Sequence, residues 1–351
     1  VKSFTPYVLA SETVKYGLEV QQLENLIIKN LSYGTLKDKI FKLGFIPSEL
    51  KRFLLNSQIG LVHSHFGQNG FASLKLAKFL DVPHVTTFHG LDITLDNVNK
   101  NQHGILLHKM HKNMGLLQEN GNLFIAVSDF IKHKLIHKGF PENKIITNYI
   151  GIDTDYFSVK NGTVRENNII CVARHVTYKG INYLISAMEI INKHYPDWKL
   201  ILIGDGPISN ELKMQAKRAS INVIFKGRLN SEEVKNELEK AKIYCQPSTK
   251  LENGHEEALA LTIVEAQAMH LPAVVFDSGG MPEAIIPNKS GLVAAADDCE
   301  DLAAKIQSLI SDFHLWNEFS QNARENAVKN HCFDKQIHKL EIIYKNLVKD
   351  K

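Results

Sequence analysis

Cysteine is scarce and scattered. The four residues, Cys171, Cys245, Cys299 and Cys332, are far apart and form no Cys-x-x-Cys pair. That excludes a disulfide framework or a zinc ribbon and suits a reducing compartment. Long apolar runs are missing too. A membrane span needs roughly 18 such residues, and the run from Ala258 stops before Glu265 after seven. No Gly-x-Gly-x-x-Gly follows a strand pattern and no Gly-x-x-x-x-Gly-Lys-Ser/Thr occurs, so neither common phosphate-cradling fingerprint is available. Nothing at the start reads as a signal peptide, and Val1 in place of Met is compatible with a trimmed chain. No strong charge of one sign is present: 41 Lys+Arg against 38 Asp+Glu give +3. A nucleic-acid binder would show a dense basic stripe, so no nucleic-acid partner is expected. The excess is uneven. Residues 1–158 hold 17 basic and 13 acidic side chains, the remainder 24 and 25. A mildly basic first half suits an anionic substrate or lipid surface.

What is present is ordinary globular composition, 44% hydrophobic and 23% charged over 351 residues, a length that favours two domains. Apolar, β-branched runs stand at Ile169–Ala173, Leu200–Ile203, Val223–Phe225, Ile243–Gln246 and Pro272–Phe276. Helical patterns at Ile181–Asn192, Glu211–Ala219, Glu232–Ala241 and Leu259–His270 lie between them. This alternation predicts βαβ units and a parallel sheet buried on both faces. The first half repeats it less cleanly, with strands expected at Gly60–Ser64, His84–Phe88, Leu123–Val127 and Lys144–Asn148. Tyr149–Asn168 reads as a linker, and Ile337, Leu340, Ile343, Tyr344 and Leu347 mark one face of a terminal helix. The expected organisation is an α/β protein with domains at 1–150 and 151–333. A helix over 334–351 would cross back toward the first. Two doubly wound domains would face a cleft, with ligand at the carboxyl ends of the strands.

The sharpest chemical feature is Glu257-Ala-Leu-Ala-Leu-Thr-Ile-Val-Glu265, two carboxylates across the expected start of a helix. Free N–H groups and the partial positive charge of a helix start suit a phosphate. A diphosphate there would put one arm near Glu257 and the other near Glu265, the layout of a nucleotide-sugar with hydroxyls at both ends. The plainer reading is a capping Glu and a solvated helix Glu. In Cys171-Val-Ala-Arg174-His-Val-Thr-Tyr-Lys179-Gly180, Arg174 ends a strand and Lys179 precedes a helix. Two such cations can hold a diphosphate and stabilise its charge as it leaves, or be surface cations. No Asp-x-Asp sequence is read here as a metal-bridging motif, so no metal and no other cofactor is expected. Gly204-Asp-Gly-Pro207 follows a strand and would let a nucleotide approach the backbone, or be a tight turn.

In Thr86-Thr-Phe-His89-Gly-Leu-Asp92, His89 stands at a strand end, where a neutral imidazole can bond a sugar hydroxyl or be satisfied in the turn. His63 and His65 alternate at another strand end before Phe66-Gly67. They have no third ligand at fixed spacing, which argues against a metal pair. His103, His108 and His111, with Lys109 and Lys112 around Ile105, Leu106, Met110 and Met114, read as a basic amphipathic helix. It would be a solvated face or a contact with an anionic membrane or acceptor.

Ten pieces in order carry a family likeness: Ser11-Glu-Thr13, His63-Ser-His-Phe-Gly67, Phe88-His-Gly-Leu-Asp92, Ala126-Val-Ser128, Tyr149-Ile-Gly-Ile-Asp153, Arg174 to Lys179-Gly180, Gly204-Asp-Gly-Pro207, Glu257 with Glu265, Gly279-Gly-Met-Pro-Glu283 and Gly291-Leu-Val293. The set resembles retaining glycosyltransferases of family 4, of GT-B fold, in the branch that makes exopolysaccharides such as colanic acid. The resemblance implies that Arg174 and Lys179 hold the donor diphosphate, Glu265 the ribose hydroxyls and Glu257 the donor sugar. His89 would reach that sugar from the opposite domain. It further implies donor contacts at Gly204, Gly206, Gly227, Arg228, Leu229, Ala258, Leu259 and Ala260, and an acceptor side at Ser11, His65, Phe66, Gly67 and Asp92. The family often reads Glu-Gly-x-Pro where this chain has Glu257-Ala-Leu-Ala260, so Ala258 must fit a loop that glycine eases.

The expected function is metal-independent, retaining transfer of a hexosyl group from a nucleoside diphosphate sugar to a lipid-linked or polysaccharide acceptor in surface polysaccharide synthesis. The expected place is the cytoplasm, with peripheral attachment to the inner face of the plasma membrane. The alternatives are a nucleotide-sugar epimerase of the same fold, which needs no acceptor, and a non-catalytic nucleotide-sugar-binding protein.

Overall fold

The computed structural model describes residues 4–10, 27–30, 45–160 and 162–349; the expected Ser11-Glu-Thr13 loop lies outside them. Contacts divide the chain into two units. The described residues of the first fall within 1–127, 131–148 and 337–351, and those of the second within 128–130 and 149–336.

In the first unit, β1 (Tyr7–Ala10) and β2 (Ile27–Asn30) form a parallel pair. A four-stranded parallel sheet follows in sequence order: β3 (Val62–His65), β4 (His84–Phe88), β5 (Leu123–Ala126) and β6 (Ile145–Thr147). Every residue of β4 is buried, as expected where both faces of a parallel strand are covered. Phe88, Phe124 and Phe140 meet edge to face in this core, with centroids 4.8–6.3 Å apart. The expected amphipathic helix around His103–Met114 is instead three short helices, Lys100–His103, Ile105–Lys112 and Met114–Asn120. Gly104, at φ 88°, separates the first two and Asn113 the next. Leu107, Met110 and Leu117 are buried, so packing, not a continuous basic face, sets their orientation.

The second unit is a six-stranded parallel sheet of order β12-β11-β10-β7-β8-β9. The strands are β7 (Asn168–Val172), β8 (Lys199–Ile203), β9 (Val223–Gly227), β10 (Ile243–Gln246), β11 (Ala273–Phe276) and β12 (Gly291–Ala294). Helix Ile181–Asn192 buries Ile181, Leu184, Ile185, Met188 and Ile191, the i, i+3, i+4 stripe of a helix laid on a sheet. Two corrections concern burial and length. β9 alternates half-buried and exposed residues because it is the sheet edge, so it is not covered on both faces. The expected Leu259–His270 helix is Leu261–Ala268. Helices Cys299–Ser311 and Phe313–Asn330 complete the unit. The terminal helix Phe333–Lys349 counts with the second unit through Gln336 and with the first from Ile337. Among the described residues no helix is long and apolar enough to cross a membrane, and all four cysteines are free.

The chain lays β7, β8 and β9 outward, then returns to the other side of β7 for β10. Neighbouring connections there leave in opposite directions, so their loops part at the carboxyl ends of β7 and β10, the general place for a ligand in an open α/β sheet.

Gly204 tests how tightly the loops after β7 and β8 are joined. Its φ is 131°, and a Cβ would stand 1.9 Å from the Ala173 carbonyl oxygen. Gly204→Ala is expected to destabilise the second unit by about 2–4 kcal/mol. Gly115→Ala, in an exposed helix with nothing within 4 Å, should stabilise by up to about 1 kcal/mol. Urea denaturation of both variants checks the pair; equal midpoints would refute the steric account.

Candidate active site

The loop after β7 presents the two expected cations in different states. Arg174 is exposed, and among the described residues its guanidinium makes no ion pair. Lys179 ends the turn Thr177–Lys179, and its ammonium is paired with the Glu257 carboxylate, both side chains being largely covered (13% and 17% exposed). The two loops are stitched there: Thr249 N–H donates to Tyr178 O at 2.7 Å. Gly180 lies so close to Pro247 that a Cβ would meet the carbonyl oxygen at 1.7 Å. The Lys179 cation and the sugar-facing candidate Glu257 are therefore one unit, and Arg174 lies five residues before Lys179 in the same loop.

Glu257 precedes helix Leu261–Ala268, and Glu265 lies within it. Glu265 is half-buried, and burial holds its carboxyl above the usual range, which replaces the reading of a solvated helix Glu. Ala258, Leu259 and Ala260 are buried. The strained position is not Ala258 but Ala260, at φ 62°, a conformation closed to the proline that the family often has there. Beneath the helix, Tyr244 and Thr262 hydroxyls each lie 2.8 Å from Gln246 Oε1, a polar cluster with no counterpart in the sequence reading.

Gly204 and Gly206 join the loops after β7 and β8. Their missing side chains admit the backbone of the neighbouring loop, with Ala173 O and His175 O at 1.9 and 2.2 Å from where a Cβ would stand. Gly227 has φ 68° at the end of β9; Arg228 is exposed and 3.9 Å from Asp205, while Leu229 packs on the core. Asp205 is held low by the Ser209 hydroxyl and the Gly206 N–H. One Asp-x-Asp sequence does occur, Asp153-Thr154-Asp155. Asp153 Oδ1 accepts the N–H groups of Asp155 and Tyr156 at 3.0 and 2.8 Å, so it caps a turn. No group of three or more metal-ligating His, Cys, Asp or Glu side chains occurs among the described residues.

The Gly279–Glu283 piece carries a role that sequence reasoning left unassigned. Gly280 N–H donates to Glu257 O at 2.8 Å, and a Cβ on Gly279 or Gly280 would strike Glu257 O or Ala258 O at 2.2 or 1.9 Å. Glu283 accepts the N–H groups of Asp129 and Phe130 at 2.6 Å each and the Tyr149 hydroxyl at 3.0 Å. The segment thus backs the Glu257 loop at one end and is anchored at the other. Paired glycines before a fixed Glu were the available signal.

In the first unit, the ends of β3 and β4 gather His63, His65, Phe66 and His89. His63 and His65 rings stack at 4.6 Å, and His65 Nδ1 lies 2.9 Å from His89 Nε2. Burial lowers His63 to about 3, with the neighbouring His65, His89 and His84 adding to it. Burial brings His84 and His89 to about 4 and lowers His65 as well. Asp92 is corrected from an acceptor-side residue to a clamp. It is 1% exposed, and its oxygens accept N–H groups of Gly67 (2.7 Å), Gly90 (2.9 Å) and His89 (3.1 Å). Burial raises it to about 6 against those three bonds. Gly67 is buried beneath it, and a Cβ would stand 2.5 Å from the Phe88 ring. His108 and His111 bond the carbonyls of Val98 and Asp92 at 2.8 and 3.0 Å, so neither faces outward as a basic patch.

Two family models match the chain in succession, Glycosyltransferase Family 4 over residues 8–156 and Glycosyl transferases group 1 over residues 153–326. The amylovoran biosynthesis glycosyltransferase AmsK of Erwinia amylovora is 30% identical over 299 residues, 81% of this chain and 71% of that protein. The putative colanic acid biosynthesis glycosyltransferase WcaL of Escherichia coli K12 is 26% identical over 286 residues, 80% and 68% of the two chains. Among solved structures, Anabaena HepE in complex with UDP and glucose aligns with a TM-score of 0.71 at 16% identity, covering 92% of this chain and 86% of that one. At that identity the likeness fixes the fold, GT-B with two Rossmann-like parallel-sheet domains.

The histidines give the first unit a directed pH dependence. In the unfolded chain His63, His84 and His89 protonate near the ordinary 6.5; in the fold they stay neutral to about 4 or below. Their folded values are depressed, so the unfolded state binds more protons as pH falls, costing roughly 2 kcal/mol per histidine at pH 5. Asp92, raised to about 6, acts oppositely, its folded form taking up the proton first and contributing roughly 1 kcal/mol at pH 5. Three histidines outweigh one carboxyl, so the first unit should lose stability from pH 8 to pH 5. Hydrogen exchange of β4 amides, corrected for intrinsic rates, reads this; unchanged or greater protection at pH 5 would sink it.

Proposed function

The chain belongs to the glycosyltransferases of group 1 and family 4, and on that premise we propose the donor, the acceptor and the course of the transfer. It moves a hexosyl group from a nucleoside diphosphate sugar to a hydroxyl of a lipid-linked or growing polysaccharide acceptor, with retained anomeric configuration, in exopolysaccharide synthesis. The observation that carries this reading is the Lys179–Glu257 pair, which joins the loop after β7 that also bears Arg174 to the loop between β10 and a helix start. AmsK and WcaL, named for amylovoran and colanic acid synthesis, support the polysaccharide acceptor. HepE, solved with UDP and glucose, supports a nucleotide-sugar donor.

Arg174 and Lys179 hold the diphosphate, and their charge stabilises it as the glycosidic bond breaks. Glu257 faces the sugar and shares Lys179 with the leaving group, so the cation stays close to the reacting centre through the step. Glu265 accepts the ribose hydroxyls; a half-buried carboxylate bonds them more strongly than one in water. His89 bonds a sugar hydroxyl as a neutral imidazole. The acceptor oxygen attacks on the face the diphosphate leaves, and no enzyme nucleophile is assigned. A lipid-linked acceptor would be met at an anionic membrane surface, where exposed Ile105 and Leu116 with Lys112 offer apolar and basic contacts.

The two glutamates separate by experiment. Glu257→Gln releases Lys179 from its partner, so kcat should fall strongly while nucleoside diphosphate affinity holds or rises. Glu265→Gln removes charge-assisted bonds of about 1.5–3 kcal/mol, so that affinity should fall roughly ten- to a hundredfold. Calorimetry with UDP and GDP, and turnover of UDP-glucose and GDP-mannose with acceptor, give both quantities. If Glu257→Gln weakens nucleotide binding as much as Glu265→Gln does, the sugar and ribose ends are wrongly assigned.

With two protein cations on the diphosphate, turnover in EDTA should equal turnover in Mg²⁺. Complete loss on chelation, restored by added metal, would refute that role for Arg174 and Lys179.

A further inference from the structure

The His89 ring is held more tightly than a turn histidine needs to be. Its backbone N–H is fixed by Asp92 at 3.1 Å. Its Nε2 lies 2.9 Å from His65 Nδ1, and the Phe66 ring leans on it with centroids 4.6 Å apart. Phe66 adopts φ 69°, a left-handed conformation strained for a non-glycine residue. It turns the chain from β3 into helix Gly67–Leu80 directly after His65.

His65 is itself supported. Its ring stacks on His63 at 4.6 Å and 28°. His63 bridges to Thr87 Oγ1 at 2.7 Å through Nε2 and to the Tyr344 hydroxyl through Nδ1. Strand β3, strand β4 and the terminal helix thus fix His63, and His63 fixes the plane of His65.

A hydrogen bond between two imidazole nitrogens uses one N–H and one lone pair. With Nε2 of His89 taken, Nδ1 is the nitrogen of that ring left for a ligand, and among the described residues it has no hydrogen-bond partner. We infer that His65 is the positioning residue for His89: it fixes the ring and its tautomer so that Nδ1, not Nε2, meets the sugar hydroxyl. The inference rests on the sugar-contacting role proposed for His89. Both rings are pushed below the ordinary imidazole range, so the pair is neutral near pH 7, as an N–H···N bond requires.

The test uses the full chain with His65→Ala and His65→Asn, the latter returning a polar group near the place of Nδ1. Turnover is read with UDP-glucose and GDP-mannose, and the His89 tautomer by ¹⁵N chemical shifts without substrate. His65→Ala should lower kcat about five- to twentyfold, the loss of one hydrogen bond, with donor KM changed less than about twofold. His89 should shift from one tautomer to a mixture. His65→Asn should restore most of the kcat and the single tautomer. Unchanged kcat in His65→Ala, or a loss without tautomer change and without rescue by Asn, would overturn the inference. His89→Ala with undiminished transfer would instead remove His89 from the proposed function. The tautomer measurement needs no turnover, so it still decides whether His65 sets the ring.

Discussion

The Lys179–Glu257 ion pair exists because the strand order of the second unit reverses at β7 and β10. Two loops that leave the sheet in opposite directions are brought back into contact by the Thr249–Tyr178 bond and by an approach of Gly180 to Pro247 that leaves no room for a Cβ. Only then do residues 78 positions apart meet as a pair. A half-buried pair of this kind gives little net stability, because desolvation of both charges offsets their attraction. Its consequence is placement. The pair fixes one cation against one carboxylate beside a helix start, and the loop bearing Glu257 is backed by Gly279 and Gly280. The whole arrangement is backbone meeting backbone, which tolerates no side chain at Gly180, Gly279 or Gly280.

The first unit solves the opposite electrostatic problem. It collects three imidazoles at the ends of adjacent strands and keeps them uncharged chiefly by burial, with the neighbouring rings adding to it at His63 and His89. A protonated ring there would lose hydration and meet a second ring of the same sign. The oxygens of buried Asp92 are taken up by the backbone N–H groups of Gly67, His89 and Gly90. The result is a polar surface of neutral donors and acceptors, suited to hydroxyls, while the fixed charges of the second unit suit a diphosphate.

Legibility followed the range of the interactions. Strand β4, strand β10 and helix Ile181–Asn192 have the boundaries their apolar spacing predicts, because both faces of a strand, or one stripe of a helix, repeat within a few residues. The basic helix around residues 103–114 failed as a single element because Gly104 turns the chain at φ 88°, a local choice that charge spacing does not report. β9 was misjudged as a two-sided buried strand because being an edge is a property of the sheet, not of the segment. At Gly204 and Gly206 the missing side chains admit the backbone of Ala173 and His175, a long-range contact that the local turn sequence does not report.

The sequence alone determined the α/β alternation, the ordered motifs that mark the family, and the chemical types at the site: two cations, two carboxylates and a strand-end histidine. Each is written in adjacent residues or in a short period. Tertiary structure alone decided that Lys179 is paired with Glu257 while Arg174 is exposed, that Glu265 is half-buried, that Asp92 is a clamp, and that His65 reaches His89. Those facts depend on which loops the sheet brings together and on how much water each group loses there, and neither quantity is encoded in the neighbours of a residue along the chain.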